Sequence, residues 1–174
     1  MSQTAVSGIA NNAKIVAGYA EALCKGIPAD RFARFAVGQN GPIISNHPAW
    51  VCGHLSLYPG RAAGMLNLDV DVDVPDAWEA LFGPKSECID DADGSRYPAM
   101  AELVNTMIAH QRAIAGALTN IDDAALAAPT PIERYRDRFP TIMTAVDFLI
   151  TTHQMLHLGQ LSAWRRMEGL GSAT

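Results

Sequence analysis

The amino-acid sequence predicts an all-α fold, a four-helix bundle with a long crossover connection between helices 2 and 3. Four segments carry apolar residues at the three- and four-residue spacing of a helix face. They cover roughly residues 3–25, 47–66, 99–120 and 141–168. Residues 67–98 are instead rich in Asp, Pro and Gly, which is typical of a connecting segment. With 174 residues the chain is long enough to bury a core, and we expect a single domain over 1–174.

The first helix is predicted from a stripe of aliphatic and small side chains that falls on one helix face. This stripe consists of Val6, Ile9, Ala13, Val16, Ala20 and Leu23. Gly26 and Pro28 end the pattern, because both residues are unfavourable in a helix interior. A short helical piece is expected over 29–36, followed by a turn over 39–42 with the sequence Gln-Asn-Gly-Pro.

The second helix is predicted to run from about His47 to Leu66. Pro48 suits its first turn, where a backbone N–H has no partner within the helix. Pro59 lies inside the segment and is expected to kink or break it, because proline removes one backbone hydrogen bond. Gly53 has no side chain and would let another helix approach closely.

The third and fourth helices are predicted from a buried stripe and from their proline and glycine boundaries. The stripe of the third helix consists of Leu103, Met107, His110, Ile114 and Leu118. A proline-rich loop then leads to the fourth helix, which is expected to begin near Thr141, directly after Pro140. Gly169 and Gly171 mark the end of that helix.

Two histidines in the fourth helix predict a metal site. His153 and His157 are four residues apart and lie on one face about one turn from each other, so both imidazoles can bind the same divalent ion. In the second helix, His47, Trp50 and His54 also share a face, at i, i+3 and i+7 spacing. If the two helices are antiparallel, one histidine of the second helix would complete a three-histidine site.

These motifs resemble those of the DinB-like superfamily, which includes the bacillithiol- and mycothiol-dependent transferases and isomerases. The resemblance covers most of the chain. It rests on Trp-x-x-Gly-His at 50–54, on Tyr97-Pro98 before the third helix, and on His-x-x-x-His-x-Gly-Gln-Leu at 153–161 followed by two arginines. It implies a four-helix bundle in which His54, His153 and His157 hold a divalent metal ion. It also implies thiol-dependent transfer or isomerisation of a small-molecule substrate, with a low-molecular-weight thiol as cofactor.

The ligand set favours certain ions and one type of chemistry. Three neutral imidazoles suit zinc or nickel, the ions expected first, and also iron or copper. Three protein ligands leave at least one coordination position for water or substrate, as in catalytic zinc sites. A bound ion would lower the pKa of a coordinated water or thiol toward neutrality. Attack by a metal-activated thiolate is the mechanism that follows most directly, and the resemblance to the DinB-like superfamily implies a metal-dependent thiol transferase or isomerase.

An alternative function follows from the missing acid–base partner. No Asp or Glu lies one turn from His153 or His157 on the same helix face. This favours a non-catalytic metal- or ligand-binding stress-response protein, in which the ion is structural or sensory. A fourth protein ligand would support that alternative, and His110 is the candidate. The preferred interpretation of His110 is a core histidine with satisfied hydrogen bonds.

Four further residues are predicted to line the mouth of a pocket above the metal site, with the segment 28–46 covering it. These residues are His47, Trp50, Gln160 and Trp164. His47 is about two turns (~10 Å) from His54, so it is interpreted as a helix cap or mouth residue and not as a ligand. Gln160 is predicted either to orient a substrate or ligating imidazole or to be an ordinary polar residue at the bundle end. The two tryptophans are expected to be core residues that also form the pocket wall.

Composition restricts the partners and the location. The formal net charge of −5 and the lack of a basic cluster argue against nucleic-acid binding. No apolar run reaches the ~18 residues of a membrane span, and the first residues lack the basic and apolar regions of a signal peptide. Cys24, Cys52 and Cys88 form no Cys-x-x-Cys pair, so we expect free thiols and a cytoplasmic protein. Alanine-rich helix faces make a homodimer a further expectation.

Overall fold

The computed structural model describes residues 4–173 as a mostly helical fold with two short strands. The helices are α1 (Thr4–Cys24), α2 (Pro48–Leu66), α3 (Ala77–Phe82), α4 (Met100–Ala117), α5 (Asp123–Ala127), α6 (Ile142–Asp147) and α7 (His153–Met167). The strands are β1 (Ala36–Gly38) and β2 (Gly41–Ile43). Single 3₁₀ turns occur at Ala29–Arg31, Leu118–Asn120 and Glu133–Tyr135, and a π-helical turn occurs at Phe148–Thr152.

The four longest helices bury the stripes that the sequence predicts. Helix α4 packs against α1 and α2, and α7 packs against the same two helices. Every residue of the α1 stripe and of the α4 stripe is buried. Trp50, Leu55 and Leu158 belong to one apolar cluster, within which α2 and α7 meet. Among the described helices, none combines the length and the apolar character needed to cross a lipid bilayer.

Helix α2 continues through Pro59, so of the kink or break expected there the break is absent. Proline has no N–H to donate to the carbonyl four residues earlier, which here belongs to Leu55. The side-chain amide of Gln154 in α7 donates to that carbonyl instead, at 3.2 Å between Nε2 and O. This hydrogen bond satisfies a buried backbone acceptor and ties α7 to α2, one residue from His153 and one from His54.

The connection between α2 and α4 contains an element that the sequence did not predict. Helix α3 lies across α2, and its Phe82 ring covers Gly53. A Cβ atom at Gly53 would come within 2.5 Å of that ring, so only glycine permits this packing. The predicted close approach at Gly53 is therefore confirmed, and the approaching helix is α3.

The last predicted helix consists of two α-helices joined by a π-helical turn. Thr141 begins α6 as predicted, and its hydroxyl accepts a hydrogen bond from the N–H of Thr144. In the π turn the N–H of His153 bonds to the carbonyl of Phe148, five residues earlier. The wider turn brings Phe148 close to His153, with ring centroids 5.7 Å apart. Gly169 and Gly171 both have positive φ after the end of α7.

Two smaller expectations need correction. The predicted turn over 39–42 is the turn of a hairpin between β1 and β2, in which Ala36 pairs with Ile43. The predicted helical piece over 29–36 is reduced to the single 3₁₀ turn at Ala29–Arg31. The cysteines are free thiols, as predicted.

Candidate metal centre

The structure brings His54, His153 and His157 together between α2 and α7. Each ring offers one nitrogen, and these three nitrogens lie within 4.8 Å of one another. The ring centroids are 4.6 Å apart for His54 and His157, 4.7 Å for His153 and His157, and 5.2 Å for His54 and His153. The i, i+4 pair of α7 and one histidine of α2 therefore meet at one depth.

The backbone of α3 orients His54. Its Nδ1 lies 2.6 Å from the carbonyl oxygen of Phe82. A carbonyl only accepts, so Nδ1 donates its proton and Nε2 keeps a free lone pair. The indole of Trp50 stacks on the imidazole at 4.4 Å with an interplanar angle of 16°. His54 is thus fixed in both tautomer and ring plane, as expected of a metal ligand.

A side-chain amide orients His157. The Nδ1 of His157 lies 3.0 Å from Oε1 of Gln160, and the same oxygen accepts a hydrogen bond from the amide of Asn46 at 2.9 Å. Because Oε1 accepts from both groups, His157 Nδ1 carries the proton and Nε2 is left for a ligand. Of the two interpretations of Gln160, the structure agrees with the one in which it orients a ligating imidazole.

His153 differs from the other two rings. Its Nδ1 is buried and has no hydrogen-bond partner among the described residues. An unpaired buried polar atom costs roughly 1–3 kcal/mol, which a bound ligand would offset. The Tyr58 ring packs against His153 with centroids 4.0 Å apart. His153 also lines a pocket.

All three imidazoles are neutral at pH 7. Burial lowers the pKa of His54 to about 4, and repulsion from His157 adds to the effect. Burial, together with the neighbouring His157 and His54, lowers the pKa of His153 to about 3. Burial also lowers the pKa of His157, against the opposing effect of its hydrogen bond to Gln160. The neutral form is the one that binds metal ions.

The arrangement fits a transition-metal ion. Two rings have Nε2 free while Nδ1 is held by an oxygen, and the third has an unpaired buried nitrogen. Ligand nitrogens around tetrahedral zinc, at ~2.0–2.1 Å from the ion, are about 3.4 Å apart. The 4.8 Å triangle therefore needs to contract by only about 1.4 Å at its widest. Among the described residues, no carboxylate or cysteine joins this cluster.

Two other histidines are buried without joining the cluster. His47 caps α2, where Nδ1 accepts from the N–H of Trp50 at 3.2 Å and Nε2 donates to the carbonyl of Ile89 at 3.0 Å. His110 hydrogen-bonds through Nδ1 to the carbonyl of Ser56 at 3.3 Å. The preferred interpretations of both residues agree with these contacts, and His110 is not a fourth member of the cluster.

None of the four residues predicted at the pocket mouth lines the pocket beside His153. His47 is fully buried, and the indole nitrogen of Trp164 donates to the carbonyl of Arg34 within the core. A pocket of about 1020 Å³ instead reaches His153 from the side of Tyr58 and Phe148. The π turn and the loop before α6 line this pocket, and the mouth predicted at His47, Trp50, Gln160 and Trp164 stays a prediction.

The motifs did not include several residues that build the site. Tyr58 and Arg61 follow His54 by four and seven residues, so continuing the α2 face would have identified them. The Arg61 guanidinium lies 4.7 Å from the Tyr58 ring centre and binds both carboxylate oxygens of Glu79 at 2.9 Å. The sequence pattern gives no comparable indication for Phe82 and Phe148. They reach the site because α3 crosses α2 and because the π turn precedes His153.

No protein-family model, curated protein or solved structure was found to match this chain. The three histidines lie close together and could hold a metal ion. The relationship to the DinB-like superfamily stays a prediction from the motifs.

Proposed function

We propose that this protein is a metal-dependent enzyme that transfers or isomerises a small molecule with the help of a low-molecular-weight thiol. One observation carries the proposal: three neutral imidazoles, two of them oriented by hydrogen bonds, converge within 4.8 Å beside a pocket of about 1020 Å³. A purely structural ion needs no such pocket, whereas a catalytic ion needs access for its substrate.

The fold and family belong to the same proposal. The four longest helices form a DinB-like four-helix bundle, with α3 inside the crossover connection. The chain is then a DinB-like metalloprotein, with His54, His153 and His157 as ligands of zinc or nickel. Iron and copper are the next candidates, since imidazole nitrogen binds each of these ions.

A divalent ion bound there would supply Lewis-acid chemistry, lowering the pKa of a coordinated thiol or water. The side chains around it would control water and protons. Trp50 and the Phe82 backbone cover the ring of His54 and exclude water from that side. Burial raises the pKa of Tyr58, so its hydroxyl keeps a proton at neutral pH and can donate it within the pocket.

A carboxylate that the motifs did not provide lies in the pocket lining. Glu79 of α3 is the one acidic side chain among the lining residues, and it forms an ion pair with Arg61. We assign Glu79 and Tyr58 as the candidate acid–base groups. Both lie on the side from which a substrate would approach His153.

The second candidate function is non-catalytic binding with a structural or sensory ion. The cluster contains no carboxylate, and Glu79 is already engaged by Arg61. In that case the ion would connect α2 to α7, and the pocket would receive a ligand that is bound without being transformed.

The first experiment measures metal content by mass spectrometry on untagged protein. We expect about one divalent ion per chain, its loss in the His153→Ala/His157→Ala double variant, and its retention in the His110→Ala control. Protein that takes up no ion after incubation with zinc or nickel would contradict the metal site.

The second experiment separates the enzyme from the binding protein. Metal-loaded protein is mixed with cysteine, bacillithiol or mycothiol and an aryl chloride electrophile, and release of chloride is followed. The expected result is faster S–C bond formation than with the metal-free protein, reduced in Tyr58→Phe. An intact metal site with no acceleration by any thiol would favour the non-catalytic alternative.

A further inference from the structure

The pocket beside His153 has the opposite charge to the chain as a whole. The chain has a formal net charge of −5. The basic side chains that line the pocket are Arg61, Lys85, Arg134 and Arg138. Glu79 is the one acidic residue of the lining, and Arg61 neutralises it at 2.9 Å. Three of the four basic groups therefore face the pocket with no carboxylate within 4.0 Å among the described residues.

The guanidinium of Arg138 lies close to two aromatic rings. Its guanidinium carbon lies 5.2 Å from the centre of the Phe139 ring and 5.0 Å from that of Phe148. Attraction to aromatic rings holds a guanidinium in place but leaves its N–H groups without acceptors. A planar, oriented guanidinium is suited to bidentate binding of a carboxylate or phosphate.

The same aromatic ring connects Arg138 to the metal centre. The Phe148 ring is 5.7 Å from His153 and 5.0 Å from the guanidinium of Arg138. The guanidinium is therefore no farther from the His153 ring than the sum of these two distances. A molecule of a few carbon atoms can span this gap, with Tyr58 and Phe148 against its apolar part.

We infer that the pocket binds a small organic anion in one orientation, with its carboxylate or phosphate group at Arg138 and its opposite end at His153. The identity of that opposite end, a thiol, rests on the proposed function. The requirement for a negatively charged ligand does not rest on the proposed function, because it follows from the basic side chains of the lining and from Arg138. Arg134 and Lys85 add to the positive potential without contacting the metal centre.

The test uses ligands that differ only in charge. Isothermal titration calorimetry on the zinc-loaded full chain compares mercaptohexanoate with its neutral amide, mercaptohexanamide, and with mercaptohexyl phosphate. A parallel series on chelator-treated protein compares hexanoate with hexanamide, so that anion binding is measured without metal or thiol. We expect the anions to bind about tenfold more tightly than the amides, with the advantage decreasing as salt is added. The stronger of the carboxylate and phosphate arms identifies the anionic group.

Variants locate the charge effect. Arg138→Gln should remove most of the advantage of the anions, and Arg134→Gln should reduce it less. Arg166→Gln is the matched control, since Arg166 is exposed at the end of α7 and does not line the pocket. Exposed arginines can be exchanged without loss of the fold, which circular dichroism of each variant would verify.

Failure of the inference and failure of the proposed function give different results. If amide and anion bind equally in both series, or if Arg166→Gln weakens anion binding as much as Arg138→Gln, the anion inference is overturned. If hexanoate binds through Arg138 but zinc is not retained, the anion inference stands and the proposed function fails.

Discussion

His47 and His54 are buried to nearly the same extent but have opposite roles. His47 is 0% exposed and His54 is 3% exposed, and burial lowers the pKa of both. Both ring nitrogens of His47 are used by the protein, one by the N–H of Trp50 and one by the carbonyl of Ile89. In the cluster, each ring of His54 and His157 uses one nitrogen and leaves the other facing its neighbours. Burial alone therefore does not identify a ligand; what distinguishes the cluster is a ring nitrogen that lies close to the nitrogens of other imidazoles.

The largest effect expected from this difference is on metal affinity. Replacing His54 by Ala should weaken zinc binding about a thousandfold, because one of three ligands is lost. His47→Ala should leave zinc affinity unchanged and lower the free energy of unfolding by about 1 kcal/mol, because it removes a helix cap. Competition with a chromophoric chelator measures the first quantity and urea unfolding the second. Equal loss of zinc affinity in both variants would contradict the distinction.

The next effect is acid destabilisation of the metal-free protein. The unfolded histidines titrate near pH 6.5, whereas folded His54 and His153 titrate at about 4 and about 3. Between these values the unfolded chain binds more protons, so the free energy of unfolding rises with pH. This stability is complete above pH 7 and is lost as the pH falls from 6.5, down to about 4 for His54 and about 3 for His153. Urea unfolding in EDTA at several pH values should show this slope, and His153→Gln should make it shallower. An unchanged slope in that variant would place the proton uptake elsewhere.

A smaller effect concerns the partner that α3 provides for His54. Gly53→Ala should destabilise the protein by about 2 kcal/mol, because the new methyl group would collide with Phe82. The same substitution at Gly64, also in α2 and open to solvent, should be neutral or stabilising by up to about 1 kcal/mol. Thermal unfolding of the two variants gives the comparison. Equal stability of the Gly53→Ala and Gly64→Ala variants would contradict the close packing of α3 on α2.

The smallest effect is on the orientation of His157. Gln160→Leu preserves size but removes the acceptor for Nδ1, and we expect about tenfold weaker zinc binding. Asn46→Ala removes only the second partner of Gln160, so its loss should be smaller. Zinc titrations of both variants test this order, and a larger loss in Asn46→Ala would reverse the assignment of the two roles.

Periodicity identified the elements whose stability depends mainly on one apolar face. The stripes of α1 and α4 and the start at Thr141 needed only side-chain spacing and a capping residue. The two short strands, α3 and the π turn were not predicted. Each of these elements is too short for a reliable pattern and is stabilised by contacts with distant segments, such as the Phe82 ring on Gly53.

The candidate ligands could be predicted from the sequence because His153 and His157 are neighbours on one helix face, and because Trp50 and Gly53 accompany His54 in a motif. The pocket beside His153 could not be predicted from the sequence in this way. Tyr58, Phe148 and the loop before α6 line that pocket, and Asn46 binds Gln160 beside the cluster. These are contacts between residues far apart in the chain.

The amino-acid sequence by itself determined the long helices and the histidines that can share an ion, because helical spacing places those side chains on one face regardless of the surroundings. Only the tertiary structure decided which nitrogen of each ring is free, where the pocket opens and which arginine faces it. Those properties depend on partners such as the Phe82 carbonyl, Gln160 and the Phe148 ring. A buried polar group takes its function from the partner that it has or lacks, and partners are assigned when distant segments pack together.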